Sequence, residues 1–143
     1  MADCVFCQIA ARESPASFVY EDDAVIAFMD IQPVNPGHML VAPRKHFELM
    51  GELDELTLAR TWQVVSRLAN ALRRSGARCE GVNLLVADGE AAFQDVPHFH
   101  VHIIPRFAGD GFGLTFPAGY ENMPPRSQLD AWAAAIRGVV APA

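Results

Sequence analysis

The feature that most constrains this chain is a run of three histidines that alternate with apolar residues, His98-Phe99-His100-Val101-His102-Ile103-Ile104. Strict alternation is typical of a half-buried strand, because successive side chains point to opposite faces of the sheet. The pattern therefore predicts a strand whose three histidines form a row on one face. The residues predicted to face the core are Phe99, Val101 and Ile103.

The spacing of the histidine row limits its chemistry. Cα atoms two residues apart on a strand are separated by roughly 6.6 Å, so the outer two histidines would lie about 13 Å apart. Neighbouring imidazoles can share one metal ion or one phosphate, whereas all three cannot converge on one atom. Three different roles are therefore expected for His98, His100 and His102. The plain alternative is a solvated polar face that happens to use histidine.

Length and composition predict one domain, residues 1–143, with a sizeable core, because 51% of the residues are hydrophobic and 20% are charged. The net charge of −6 argues against broad nucleic-acid binding, which needs a basic surface, but it allows a single nucleotide in a pocket. No membrane span and no secretory signal is expected. The expected compartment is the cytoplasm, where cysteines are usually thiols or metal ligands.

A Cys-x-x-Cys motif, Cys4-Val5-Phe6-Cys7, begins a predicted short helical segment. Inside a cell such a motif is either redox-active, usually beside a βαβ pattern, or half of a structural zinc site. The redox interpretation is disfavoured because no strand is predicted before the motif. Two merely buried or free cysteines remain an alternative, since lone cysteines often behave as small hydrophobic residues.

The rest of the chain predicts short strands and two helices. Besides the histidine strand, the predicted strands are residues 18–20, 24–29, 38–42 and 81–86. A long helix is predicted between Asp54 and Gly76, with a core face through Leu58, Trp62, Val65, Ala69 and Leu72. A terminal helix is expected to begin at a capping box, Ser127 to Asp130, and to reach Val140. Together these elements predict an α+β fold, an antiparallel five-stranded sheet with one long helix and a C-terminal helix.

The histidine strand resembles the histidine triad (HIT) motif, in which three histidines alternate with apolar residues and two apolar residues follow. The continuation Pro105-Arg106, the earlier Asp30-Ile31 and the segments 36–38 and 43–46 are also similar to that family. The resemblance covers residues 4–106 and is closest to zinc-containing bacterial members of the Hint-like branch. Residues 107–143 are then a C-terminal loop and helix.

The resemblance implies an enzyme, a nucleotide hydrolase or transferase. In the family the histidine at the position of His100 attacks the α-phosphate of a nucleoside phosphoramidate or dinucleotide-like substrate, and a nucleotidyl-histidine forms. His102 would hold the phosphate, and His98 would orient the nucleophile or ligate zinc. A neutral imidazole is nucleophilic near pH 7, which suits this role. The resemblance also implies a purine nucleotide ligand and a homodimer with a continuous sheet.

Two ligand sets follow from the resemblance. A structural zinc ion would be bound by Cys4, Cys7, His46 and His98, the tetrahedral set of soft and borderline donors that zinc prefers. Asp30 would accept hydrogen bonds from the ribose hydroxyls. The implied base pocket consists of Val5, Phe6, Ile9, Phe28 and Ile31. From the sequence alone these five are ordinary core candidates, although ligand pockets are mostly apolar as well.

The sequence departs from the family pattern just before the triad, where Gly-Gln-Ser/Thr-Val is usual and this chain has Phe93-Gln94-Asp95-Val96. Gln94 matches, and we assign it with Asp95 to the substrate site. An ionised Asp95 can only accept hydrogen bonds, and its charge is expected to oppose anionic substrates. Phe93 replaces a glycine, and Ala87 stands where an asparagine is usual.

Three functions therefore stay open. The first is nucleotidyl hydrolysis or transfer through His100, which the complete triad favours. The second is a zinc-stabilised nucleotide-binding or interaction module with little turnover, which Phe93 and Asp95 favour. The third is a metalloenzyme in which His98 and His100 bind a catalytic metal, which needs a further ligand near these two histidines.

Overall fold

The computed structural model describes residues 3–142, and the chain divides into two compact units between Gly111 and Phe112. The first unit holds a five-stranded antiparallel sheet in the order β1-β2-β3-β5-β4. Its strands are β1 (Phe18–Glu21), β2 (Val25–Met29), β3 (Met39–Pro43), β4 (Gly81–Leu85) and β5 (Val101–Arg106). The predicted α+β fold is confirmed. That residues 1–143 form a single domain stays a prediction.

The helices of the first unit are α1 (Val5–Ala10) and the long α2 (Glu55–Leu72), with short 3₁₀ turns at Met50–Glu52 and Glu90–Ala92. Asp54 caps α2 as predicted, because its carboxylate accepts the N–H of Thr57 at 2.9 Å. The buried face of α2 consists of Thr61, Val64, Val65, Leu68 and Leu72. Trp62, predicted to face the core, is instead 36% exposed. Both stripes pass through Val65 and Leu72, so spacing alone did not select the correct one.

The second unit contains α3 (Arg126–Arg137). Its N-cap is Pro125 and carries no side-chain capping bond, so the expected capping box at Ser127 does not form. Val140, expected on the apolar face of this helix, lies beyond its end. Within residues 3–142, no helix combines the length and the apolar character that crossing a membrane requires.

The sheet carries a hydrophobic cluster on each face. On one face the strands pack against α2, and the predicted core residues Phe99, Val101 and Ile103 are all at most 1% exposed there. On the other face Phe6 and Ile9 of α1 pack on β2 and β3. The ring of Phe6 also contacts two histidines of the triad edge-on. The histidine row therefore lies on the α1 face, as the alternating pattern predicts. The predicted strand is shorter than expected, because β5 begins at Val101 and only His102 lies on it, whereas His98 and His100 precede it.

A partly buried carboxylate joins α2 to the β1–β2 turn. Asp22 accepts hydrogen bonds from the Tyr20 hydroxyl at 2.7 Å, from the N–H groups of Ala24 and Val25, and from Arg60 of α2 at 2.6 Å. Burial alone would raise the pKa of Asp22, but these four donors outweigh it and lower the pKa well below the ordinary value. The ionised carboxylate therefore stabilises the docking of α2 on the sheet.

Candidate active site

The three histidines of the row are covered to different extents. His98 is fully buried, His100 is 3% exposed, and His102 on β5 is partly buried. The rings of His100 and His102 are neighbours, with centroids 4.9 Å apart. A solvated polar face is therefore excluded.

One ring nitrogen of His100 is committed to the backbone. Its Nδ1 lies 2.7 Å from the carbonyl oxygen of His98, and since a carbonyl only accepts, Nδ1 carries the proton. In the neutral ring Nε2 then has a free lone pair. This Nε2 lies 3.6 Å from a carboxylate oxygen of Asp95 at the wall of a cavity. The geometry therefore presents Nε2 of His100 as a nucleophilic atom.

A hydrogen-bond chain determines which nitrogen of His102 carries a proton. The register of β3 and β5 pairs Leu40 with His102, so His38 lies on the diagonal of the same face. The N–H of Val34 donates to Nδ1 of His38 at 3.0 Å, which leaves the His38 proton on Nε2. That Nε2 donates to Nδ1 of His102 at 2.9 Å. Neutral His102 is therefore protonated on Nε2 and can donate to a ligand oxygen.

His38 and His102, the two histidines of this hydrogen-bond chain, are both held neutral. Burial, with smaller contributions from the neighbouring His100 and His38, lowers the pKa of His102 to about 4. Burial also lowers the pKa of His38, although the nearby Asp30 opposes the shift. The Asp30 Oδ2 lies 3.4 Å from Nε2 of His38 and 3.9 Å from Nδ1 of His102. At neutral pH the hydrogen-bond chain of His38 and His102 therefore carries no positive charge.

His100 and His102 open onto a cavity of about 300 Å³. Seven of the eight residues assigned to the substrate site line this cavity, namely Val5, Phe6, Ile9, Phe28, Asp30, Ile31 and Asp95. Most of the wall is apolar, and the carboxylates and imidazoles lie together at one side, as expected of a small-molecule site. Ile31 is 98% exposed although it lines the cavity.

Gln94 is the one assigned substrate residue that does not line this cavity. Its side-chain oxygen accepts the N–H of Gly89 at 2.8 Å, and its amide nitrogen donates to the carbonyl of Glu48 at 2.8 Å. Both ends of the amide are therefore used to join two loops of the first unit.

The three departures from the family pattern differ in position. Asp95 lines the cavity with its side chain 74% exposed, and its Oδ1 accepts the N–H of Val96 at 2.9 Å. Phe93 is 90% exposed and has a left-handed backbone with φ of 65°, which is uncommon for an aromatic residue. Neither Phe93 nor Ala87 lines the cavity. Of the three, only Asp95 lines the candidate site.

A group of four potential metal ligands lies beside the site. The ligand atoms of Cys4, Cys7, His46 and His98 all lie within 4.8 Å of one another. Cys4 Sγ is 3.3 Å from Nδ1 of His98, and Cys7 Sγ is 3.4 Å from Nδ1 of His46. The structure therefore brings together the four residues assigned to zinc.

The chemistry of this group fits zinc. His98 donates its Nε2–H to the carbonyl of Pro43 at 2.8 Å, which leaves Nδ1 free on the side of the cysteines. An imidazole that donates its other N–H to a backbone carbonyl is the usual arrangement for a metal ligand. Burial lowers the pKa of His98 to about 4, so it stays neutral. Burial and the adjacent Cys4 raise the pKa of Cys7, so a pair of thiolates here calls for a nearby cation.

A second cluster, Asp30, His38 and His102, also has its ligand atoms within 4.8 Å of one another. It fits a metal poorly, because the N–H of Val34 occupies Nδ1 of His38 and leaves the proton on the nitrogen that faces the cluster. Among residues 3–142, His100 belongs to neither cluster. In the described part of the chain, no ligand set therefore supports a catalytic metal on His98 and His100.

Comparisons with known proteins find similar sequences over most of the chain. A family model described as HIT domain matches residues 11–109. An uncharacterized HIT-like protein of Borreliella burgdorferi is 45% identical over 115 residues, which are 80% of this chain and 83% of that protein. The adenylylsulfatase HINT3 of Arabidopsis thaliana is 38% identical over 73% of this chain and 52% of its own length.

Solved structures extend the similarity to nearly the whole chain. A HIT family protein from Bacillus subtilis has a TM-score of 0.88 and 36% identity, covering 99% of both chains. A zinc-bound histidine triad family protein from Mycobacterium smegmatis has a TM-score of 0.75 and 34% identity, covering 97% of this chain and 99% of its own. A histidine triad nucleotide-binding protein from Candida albicans has a TM-score of 0.82 and 27% identity, covering 95% and 96%.

Proposed function

This chain belongs to the HIT domain family, and on that premise we propose that it is a nucleotidyl hydrolase or transferase. The substrate is a nucleoside phosphoramidate or a dinucleotide-like compound, attacked at its α-phosphate. The observation that carries the proposal is the hydrogen bond from Nδ1 of His100 to the carbonyl of His98, which frees Nε2 at the cavity wall. A neutral imidazole with a free nitrogen at the site is a competent nucleophile near pH 7.

In this proposal the reaction has two displacements. Nε2 of His100 forms a bond to phosphorus, and the leaving group departs with the electron pair of the broken bond. Water or another acceptor then attacks phosphorus, and the electron pair of the phosphorus–nitrogen bond returns to His100. Nδ1 of His100 keeps its proton and donates it to the carbonyl of His98 throughout, so this carbonyl stabilises the positive charge of the nucleotidyl-imidazolium.

The neighbouring residues have supporting roles. His102 donates its Nε2–H to a phosphate oxygen, while Asp30 accepts hydrogen bonds from the ribose. The base, for which a purine is the family's commonest choice, occupies the apolar part of the cavity between Phe6 and Phe28. Relatives named as an adenylylsulfatase and as a nucleotide-binding protein support a nucleotide ligand. His98 serves the metal group and holds His100 through its carbonyl.

A structural zinc ion bound by Cys4, Cys7, His46 and His98 is part of the proposal. The donor set and the zinc-bound relative support it. Zinc would contribute folding free energy by tying α1 to the loop after β3 and to the triad segment. Because thiolate ligands persist in a reducing compartment, we place the protein in the cytoplasm.

A homodimer with a continuous sheet completes the proposal. β4 is an edge strand, and Leu84 and Leu85 on it are 48% and 45% exposed. Trp62 on the long helix is 36% exposed. An unpaired edge with exposed leucines is a suitable surface for strand pairing between two copies. Sedimentation velocity of the wild type and a Leu85→Lys variant tests this, because the charge should shift the protein toward the monomer.

The function is tested by incubating the protein with a panel of nucleoside phosphoramidates and dinucleotides, followed by mass spectrometry of products and of intact protein. Release of a nucleoside monophosphate and a protein adduct of nucleotidyl mass are the expected results. Nucleotide binding without turnover across the panel would instead favour a zinc-stabilised binding module with little activity.

A further inference from the structure

The carboxylate of Asp95 bears a charge that the site does not neutralise. Its Oδ1 lies 3.6 Å from Nε2 of His100 and accepts the N–H of Val96, while the side chain is 74% exposed. Within residues 3–142, Oδ2 of Asp95 has no hydrogen-bond partner and no lysine or arginine forms an ion pair with it. A negative charge therefore stands next to the atom that attacks phosphorus.

Asp95 also lies between two cavities. Besides the substrate cavity, it lines an open cavity of about 590 Å³ that includes Asp3 and His46. Val5 and Val96 line both cavities together with Asp95, so the two are adjacent. A substrate whose phosphate lies at His100 can therefore extend its leaving group past Asp95 into the second cavity.

The charges along this path are unbalanced. Among the described residues, no lysine or arginine lines either cavity. Asp30 is compensated, because its Oδ1 accepts the N–H of Gln32 at 2.8 Å and its Oδ2 lies near Nε2 of His38. Asp95 accepts the N–H of Val96, but Nε2 of His100 beside it carries no proton to donate. An α-phosphate next to Asp95 therefore adds a second negative charge that repels the first. A positive group on the substrate next to Asp95 would remove this repulsion.

We infer that Asp95 selects substrates whose leaving group is cationic, that is, nucleoside phosphoramidates of amines that keep a second, protonated nitrogen. The inference rests on the proposed function and narrows its substrate class. His100 forms the bond to phosphorus, and the phosphorus–nitrogen bond to the amine breaks. The electron pair leaves with the amine nitrogen, which takes a proton from solvent. Water then attacks phosphorus, His100 regains its electron pair, and one proton is released to solvent.

The ammonium group takes no part in the covalent steps and pairs with Asp95 while the amine departs. The same charge disfavours leaving groups that are anionic, including the phosphates released from dinucleotide-like substrates. Asp95 is thus a specificity-determining residue, in a position where the family usually has a hydroxyl side chain.

The test compares three adenosine phosphoramidates that differ only at the end of the amine. They are made from 1,4-diaminobutane, pentylamine and 4-aminobutanoate, which end in an ammonium, a methyl and a carboxylate group. For the wild type, kcat/KM should fall in that order, by about two- to fivefold for each unit of charge, as for exposed ion pairs. The preference should weaken as salt is added.

Asp95→Asn should make the three values of kcat/KM nearly equal, and Asp95→Ser should raise the value for the anionic substrate. Asp95→Glu should keep the preference. Asp23→Asn, which removes the same charge at an exposed turn, is the matched control and should behave as the wild type. Circular dichroism of each variant verifies folding.

The outcomes separate the two proposals. Equal turnover of all three substrates by the wild type would overturn the charge selection and leave the proposed function standing. A preference that persists in Asp95→Asn and Asp95→Ser would overturn the assignment to Asp95. Absence of turnover and of any nucleotidyl adduct with all three substrates would overturn the proposed function, and the inference with it.

Discussion

Nδ1 of His100 lies 2.7 Å from the carbonyl oxygen of His98, so the backbone of His98 keeps the proton of the neutral His100 ring on Nδ1. The same His98 directs its own Nδ1 to Cys4, at 3.3 Å, and donates Nε2–H to Pro43. One residue therefore connects the metal-ligand group to the candidate nucleophile. A change at the metal group is expected to reach the nucleophile through the backbone of His98.

The hydrogen bond from His38 to His102 predicts a rate effect. His38→Asn removes the donor to Nδ1 of His102, so the Nε2 proton that we propose binds the phosphate loses its fixed position, and kcat/KM should fall about three- to tenfold. His38→Gln places an amide nitrogen near the lost Nε2 and should restore part of the rate. Steady-state kinetics on one phosphoramidate measures both. Equal rates for the two variants would contradict the role of this hydrogen bond.

The metal-ligand group predicts one zinc ion per chain when the protein is purified without chelator. Cys7→Ser and His46→Asn should lower both zinc content and thermal stability, because a structural metal contributes folding free energy. Cys79→Ser, which changes a cysteine outside the group, is the control and should retain zinc. Elemental analysis measures the zinc content of each variant. A second tightly bound equivalent of zinc would contradict the interpretation of Asp30, His38 and His102 as a hydrogen-bond chain.

The depressed pKa of His102 predicts that stability depends on pH. The unfolded chain takes up a proton at this residue near pH 6.5, whereas the folded protein does so near pH 4, so acidification between these values favours unfolding. The free energy of unfolding falls by at most about 3 kcal/mol. The actual loss is smaller than this limit because solvent reaches part of the His102 ring. Urea unfolding of wild type and His102→Asn from pH 7.5 to 4 measures the difference in slope. Parallel curves would contradict the prediction.

The carboxylate that joins α2 to the β1–β2 turn predicts a stability effect without an effect on catalysis. Asp22→Asn weakens charge-assisted hydrogen bonds from Tyr20 and Arg60, and the free energy of unfolding should fall by about 2–3 kcal/mol. Asp23→Asn, at the exposed neighbouring position, should change it by less than about 0.5 kcal/mol. Chemical denaturation monitored by circular dichroism compares the two. Similar losses in both variants would mean that the Asp22 contacts contribute little.

Alternation along one strand was sufficient to predict which side chains of the triad segment face the core. Val101 and Ile103 on β5 are buried against α2 because a strand has a strict period of two, and Phe99 continues the alternation although it precedes the strand. The period of a helix is less restrictive. Two overlapping stripes of α2 include Val65 and Leu72, and the one that contains Thr61 is buried instead of the one that contains Trp62. The hydroxyl of Thr61 is accommodated because it donates to the carbonyl of Thr57.

The His38–His102 contact was not predicted, because it depends on the register of β3 against β5. Sequence distance gives no information about that register, and a single histidine before a strand has no special spacing. Gln94 shows the opposite case. It matches the family pattern, yet its amide is used by backbone groups of two loops that the sequence did not bring together.

The proposed attack of His100 on phosphorus is tested most directly by comparing the hydrolysis of one adenosine phosphoramidate by the wild type and by His100→Asn. Asn cannot act as the nucleophile, so turnover should be abolished while nucleotide binding and zinc content stay nearly unchanged. Intact-protein mass spectrometry during turnover should detect a nucleotidyl adduct in the wild type and none in the variant. Hydrolysis by His100→Asn at close to the wild-type rate would contradict the account.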